Sequence, residues 1–83
     1  MSKIKRMRDI IESNTRLMLP CEYDNALIGI YYRGEQILPV YTYLSLIESH
    51  MDYYKETEEQ SLNYIEDNIM SNPAFIIVDD TGV

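Results

Sequence analysis

Residues 26–42 read Ala-Leu-Ile-Gly-Ile-Tyr-Tyr-Arg-Gly-Glu-Gln-Ile-Leu-Pro-Val-Tyr-Thr, and the fold turns on this stretch. Leu27, Ile28, Ile30 and Tyr31 are residues that suit a pleated, half-buried surface, so Ala26 to Tyr32 is expected to be a strand. Arg33-Gly34-Glu35 supplies a short turn, and Gln36 to Tyr41 continues as a second strand, giving a hairpin. Gly29 inside the first strand signals a bulge or a close approach by another element. Pro39 lacks a backbone donor, which predicts an edge position for the second strand and a central one for the first.

Working outward, Ile4, Met7 and Ile11 recur at helical spacing with Ile10 widening the stripe, and Ser2 stands as an N-cap. A helix is predicted over residues 3–14, with Lys5, Arg8, Asp9 and Glu12 on a solvated face. Pro20 and the polar run Glu22-Tyr23-Asp24-Asn25 separate it from the hairpin. After the hairpin, Thr42 to Ile47 is rich enough in β-branched and aromatic residues to read as an extension of the strand. Leu44, Ile47, Met51 and Tyr54 nevertheless form a helical stripe that Thr42 can cap, which favours a helix over about 43–54. Thr57-Glu58-Glu59-Gln60 is a capping box, with two acids where the helix dipole favours them. Leu62, Ile65 and Ile69 then mark a third helix over about 58–70, stopped by Ser71-Asn72-Pro73. Ala74 to Val78 is a short apolar run that reads as a buried strand, before the polar tail Asp79-Asp80-Thr81-Gly82.

The element order α-β-β-α-α-β predicts one α+β domain over residues 1–83, comprising a basic N-terminal helix (3–14) and a body (19–79). Its expected core is a three-stranded, antiparallel-type sheet in the order 2-1-3, with helices on one face. Eighty-three residues suit a single small core. Self-association as a homodimer would help so small a body.

Charge is unevenly placed. The net charge is −7, yet residues 1–19 carry Lys3, Lys5, Arg6, Arg8 and Arg16 against Asp9 and Glu12. The remainder has only Arg33 and Lys55 against twelve acids. Phosphate backbones are held by cationic side chains, so the body is not expected to bind nucleic acid directly. Cys21 is the single cysteine, which excludes an intrachain disulfide and fits a reducing cytoplasm. No apolar run approaches the ~20 residues of a membrane span, so no membrane partner is expected.

Catalytic signatures are sparse. Cys21 and His50 are the single thiol and the single imidazole, and nothing in the spacing joins them with an oxyanion site. One of each is too few for a transition-metal centre, and neither Asp79-Asp80 nor Glu66-Asp67 has calcium-loop spacing. No Gly-rich phosphate loop occurs. The expectation is a protein with no enzymatic activity, no catalytic or metal-binding residues and no cofactor.

Two features point to binding. The chain has eight tyrosines, one phenylalanine and no tryptophan, and tyrosine serves both wet-rimmed cores and interaction surfaces. Tyr31 and Tyr32 alternate across a strand, so one is expected in the core and the other at the surface. An acidic run of Glu48, Asp52, Glu56, Glu58, Glu59, Glu66 and Asp67 follows, offset by Lys55. It is either a solvated helix face or a surface that attracts a basic partner, even as a mimic of nucleic-acid phosphates. The candidate partner-binding residues are Tyr32, Arg33, Glu48, Asp52, Tyr53, Glu58, Glu59, Glu66 and Asp67.

Leu19-Pro20 followed by Tyr23-Asp24, Ala26 and Gly29, then Tyr64-Ile65-Glu66-Asp67-Asn68-Ile69 and a Pro73-led strand, form a further pattern. Over residues 19–78 it resembles a family of small uncharacterised proteins encoded by bacteriophages and prophages. The chain departs from that family after the third helix, where Met70-Ser71-Asn72 runs directly into Pro73 and shortens the loop. The resemblance implies a phage accessory protein acting in the bacterial host cytoplasm and carries no chemistry. With the charge layout, it gives an expected function: binding a host protein through an acidic, tyrosine-bearing surface and modulating its activity. A homo-oligomeric sponge for a small nucleotide, using Arg33 or Arg16, and a purely structural, self-assembling protein are the alternatives.

Overall fold

The computed structural model describes residues 3–14 and 18–80; the Ser2 cap, Arg16 and the end of the polar tail lie outside them. Helix α1 spans Lys3–Asn14, and a 3₁₀ segment follows over Cys21–Ala26. Strands β1 (Leu27–Arg33) and β2 (Gln36–Thr42) lead into helices α2 (Tyr43–Tyr54) and α3 (Glu58–Asn68), and β3 (Ile76–Val78) completes the order. The α+β class and the run of elements read from the sequence are those observed. The 3₁₀ segment is an addition.

β1 and β2 form the antiparallel hairpin, closed by Gly34 and Glu35, with Gly34 at φ 60°. A positive φ at the first turn position alone matches the type II′ turn, whose twist suits the flanking strands. The register slips between Leu27 and Gly29, leaving Ile28 as the extra residue of a bulge. Among the described residues a Cβ added at Gly29 would meet nothing within 4 Å, so the glycine marks the bulge and not a close approach by one of them.

The sheet itself corrects the sequence reading. Its order is β1-β2-β3, with β3 parallel to β2 through Val40↔Ile76, Tyr41↔Ile77 and Thr42↔Val78. The sheet is therefore mixed, and β2, not β1, is central. Proline demands only that its own nitrogen face no ladder. β3 is three residues long and its pairing starts at Val40, so Pro39 has β1 on one side and no strand on the other. The α2–α3 excursion supplies the long crossover that a parallel pair requires.

One face of the sheet carries the core. Leu27, Tyr41 and the partly buried Ile30, Ile37 and Ile77 meet Ile11 and Met7 of α1, Leu46 and Ile47 of α2, and Ile65 and Leu62 of α3. The alternate positions, among them Tyr31, Leu38, Val40 and Ile76, do not belong to this cluster. Tyr31 and Tyr32 are both exposed, at 47% and 63%. The expectation that one of them enters the core fails: both lie beside the turn, and neither belongs to the core cluster.

Local signals explain the helix ends, and distant ones complete them. At α3, Thr57 Oγ1 accepts from the Gln60 amide while the Gln60 side chain accepts from the Thr57 amide. At α2, Thr42 occupies the N-cap without a side-chain bond. The Leu44 amide instead donates to Asp80 Oδ1 at 3.0 Å, so a carboxylate beyond β3 caps the helix through a residue 36 positions earlier. This bond fixes the exit of β3 beside the start of α2 and supports the parallel register. The buried stripe of α2 is Tyr43, Leu46, Ile47 and His50, rotated from the predicted one; Leu44 and Tyr54 are exposed.

Arg8 is half-buried, against the expected solvated position. It bonds Asp24 at 2.6 Å and Glu12 at 2.9 Å and reaches the Leu19 carbonyl. Burial works against its charge, but Asp24 and Glu12 outweigh that and raise its pKa. The basic first helix is thus latched to the acidic body of its own chain.

Candidate functional site: an acidic groove between the 3₁₀ segment and helix α2

Four polar residues on α2, Ser45, Glu48, Ser49 and Asp52, recur at i, i+3, i+4 and i+7 and therefore share one face of the helix. The 3₁₀ segment packs along this helix and contributes Glu22 and Asn25 as the facing wall. Tyr53 closes one end. The result is an open groove of about 420 Å³ lined by Glu22, Asn25, Ser45, Glu48, Ser49, Asp52 and Tyr53. Among the described residues, three carboxylates line it and no cationic side chain does. Pockets that bury small-molecule ligands occupy roughly 300–1,000 Å³, so the volume is adequate for an extended side chain of a partner.

Behind this groove lies an ordered polar network. His50, 2% exposed, places Nδ1 2.8 Å from the Tyr23 hydroxyl and Nε2 2.5 Å from Glu56 Oε1. A carboxylate only accepts, so Nε2 carries a hydrogen, and in the neutral ring Nδ1 accepts from the Tyr23 hydroxyl. The imidazole is flanked by Tyr54 and Tyr64, with ring centroids 4.5 and 4.6 Å away. Tyr54 in turn donates to Glu22 Oε2 at 2.5 Å and meets Tyr53 edge to face. Two groove residues, Glu22 and Tyr53, are therefore positioned through Tyr54 by the same aromatic cluster that holds His50. The bond to Glu22, with some burial, pushes the Tyr54 pKa up to about 12. Burial, with Tyr54 nearby, pushes that of Tyr23 up further.

The nine sequence-predicted site residues fall in three places. Glu48, Asp52 and Tyr53 share the groove. Tyr32 and Arg33 sit at the far end of β1, where the Arg33 guanidinium lies 5.9 Å from the Tyr31 ring centroid. Glu58, Glu59, Glu66 and Asp67 belong to α3. There Glu58 and Glu59 complement the first turn, and Glu66 accepts from the Tyr43 hydroxyl at 2.6 Å. The sequence reading missed Glu22, Asn25, Ser45 and Ser49. The α2 stripe was legible from its spacing, whereas the facing wall depends on how the 3₁₀ segment docks.

Cys21 is exposed at the start of the 3₁₀ segment, while both nitrogens of His50 are engaged elsewhere. Among the described residues no group of three or more His, Cys, Asp or Glu side chains is placed to hold a metal ion, and no helix is long and apolar enough to cross a membrane. Comparison with known proteins finds no matching family model, no similar curated protein and no similar solved structure.

Proposed function

We propose that this protein is a binding protein, without catalysis of its own, that engages a basic segment of a partner protein in the acidic groove and so modulates that partner. The observation that carries the reading is the convergence of Glu22, Glu48 and Asp52 on one groove that also offers hydroxyl and amide groups. Carboxylates pair with the guanidinium fork of arginine, and the serine, asparagine and tyrosine groups satisfy the remaining donors. Arginine and tyrosine are also the residues that dominate interface energetics. The same charge repels a nucleotide phosphate, and Arg33 lies at the hairpin end, which weighs against the sponge alternative. The resemblance to phage-encoded proteins makes a protein of the bacterial host the expected partner.

A fluorescent hexa-arginine peptide is a direct probe. Its affinity is expected to fall as salt rises, and to drop about tenfold in the double variant Glu48→Gln/Asp52→Asn, a loss of ~1.4 kcal/mol. The control Glu58→Gln/Glu59→Gln removes the same charge outside the groove and should retain most of the affinity. Equal losses in the two variants would mean that net charge alone attracts the peptide, and the groove reading would fail. In parallel, wild-type protein should capture from bacterial lysate a protein that Glu48→Gln/Asp52→Asn does not.

A further inference from the structure

β1 has the composition of a central strand and the position of an edge. It carries Leu27, Ile28, Ile30, Tyr31 and Tyr32 in seven residues, yet among the described residues it pairs with β2 alone. Ile28, Tyr31 and Tyr32 are exposed at 52%, 47% and 63%. Protein edge strands are ordinarily guarded by lysine, proline, inward charges or brevity. Apart from the bulge at Ile28, near the start of the strand, this one carries no such guard before Arg33 at its end, while the other outer strand, β3, is only three residues long.

Gly29 is a second anomaly on the same strand. Its φ is not positive, and a Cβ there would meet nothing within 4 Å. A glycine in a strand sacrifices packing and conformational entropy. Although it adjoins the bulge, nothing among the described residues requires the side chain to be missing.

We propose that β1 pairs with β1 of a second copy, antiparallel and centred on Ile30, to join two sheets into one of six strands. In that register Tyr31 of each copy lies opposite Gly29 of the other on one face of the sheet, with Ile30 facing its own counterpart on the opposite face. The bare Gly29 backbone then receives the ring of Tyr31, the cross-strand arrangement by which an aromatic side chain covers an edge glycine. One occupant thus accounts for the exposed apolar side chains, the open ladder and the glycine together.

The size of the contact fixes its strength. Each half-exposed side chain has on the order of 100 Å² left to bury, so Ile28, Tyr31 and Tyr32 of two copies supply about 600 Å². Backbone edges add to this, and the total stays below the roughly 1,200 Å² at which stable specific interfaces start, in the range of weak, transient ones. The dimer is accordingly weak and concentration-dependent. Because each copy carries a net charge of −7, added salt strengthens it, opposite in sign to the peptide binding of the groove.

Sedimentation velocity of the full chain from low-micromolar to millimolar concentration tests this. A monomer–dimer equilibrium is expected that tightens with salt, and Ile28→Lys or Tyr32→Lys should raise its Kd at least about tenfold. Gly29→Val is the discriminating variant. It should leave the thermal midpoint of the monomer unchanged or higher, since the site is open and valine favours strands, yet weaken self-association about tenfold. A chain that stays monomeric at millimolar concentration would overturn the proposal. So would a dimer indifferent to the lysine variants, or one that Gly29→Val leaves intact.

Discussion

The Nδ1 atom of His50 lies 2.8 Å from the hydroxyl of Tyr23, and both side chains are only 2% exposed. This bond joins the 3₁₀ segment to α2, the two walls of the acidic groove. Removing one partner leaves the other buried and unsatisfied, at a cost of roughly 1–3 kcal/mol. His50→Phe and Tyr23→Phe should each destabilise the fold by about that amount in urea denaturation. The double variant removes both polar groups, so its loss should fall short of the sum by at least ~0.5 kcal/mol. Strict additivity would show that the bond contributes nothing.

The Asp80 cap on α2 gives a second expectation. Replacing an N-terminal capping carboxylate by alanine costs about 1 kcal/mol, and Asp80 also secures the exit of β3 beside Thr42. Asp80→Ala is therefore expected to lower stability by about 1–2 kcal/mol. Asp80→Asn, which retains a side-chain acceptor, should recover much of that loss. Amide exchange should quicken at Leu44 in the alanine variant and not in the asparagine variant.

These two contacts also show where sequence reading reached and where it stopped. The bounds 3–14 and 43–54 follow from stripe spacing and agree with α1 and α2. The capping box at Thr57 and Gln60 was legible because its partners lie three residues apart. The bulge beside Gly29 was legible for a different reason, since a glycine inside an apolar strand is itself a local mark of irregular pairing. The partner of β3 was not legible, because Pro39 constrains one nitrogen and the sequence does not reveal that β3 stops short of it. Nor was the groove, since Glu22 meets α2 only after the chain passes through the hairpin. The α2 stripe illustrates the middle case. Both Leu44-Ile47-Met51-Tyr54 and Tyr43-Leu46-Ile47-His50 fit helical spacing, and the docking of Tyr23 on His50 chooses the second.

Ser61 provides a test in the opposite direction. It is 0% exposed in α3, and its Oγ has no hydrogen-bond partner among the described residues. A buried hydroxyl without a partner costs roughly 1–3 kcal/mol, and alanine is the better helix former. Ser61→Ala should therefore raise the stability of the protein by about 1 kcal/mol, seen as a higher urea midpoint with an unchanged slope. A destabilised variant would show that the hydroxyl is engaged in solution.

Alkaline pH is the last lever, and the tyrosines set its sign. Burial pushes the pKa of Tyr41 up to about 12 despite the bond it accepts from the Leu19 amide. Burial and the bond to Glu66 do the same for Tyr43, and the bond to Glu22 raises Tyr54 to about 12. Burial raises Tyr23 further. In each case the folded state prefers the neutral phenol, whereas the unfolded chain ionises near pH 10. The resulting stability is fully present below pH 10 and is lost as pH climbs from 10 towards 12. Loss of helical circular dichroism is therefore expected in that window, together with a steep rise in tyrosinate absorbance as unfolding releases these phenols. Tyr41→Phe and Tyr43→Phe should each make the alkaline transition less steep, because one fewer phenol is linked to unfolding. Tyrosinate absorbance that reached its full value below pH 11 with the helix signal intact would contradict this assignment.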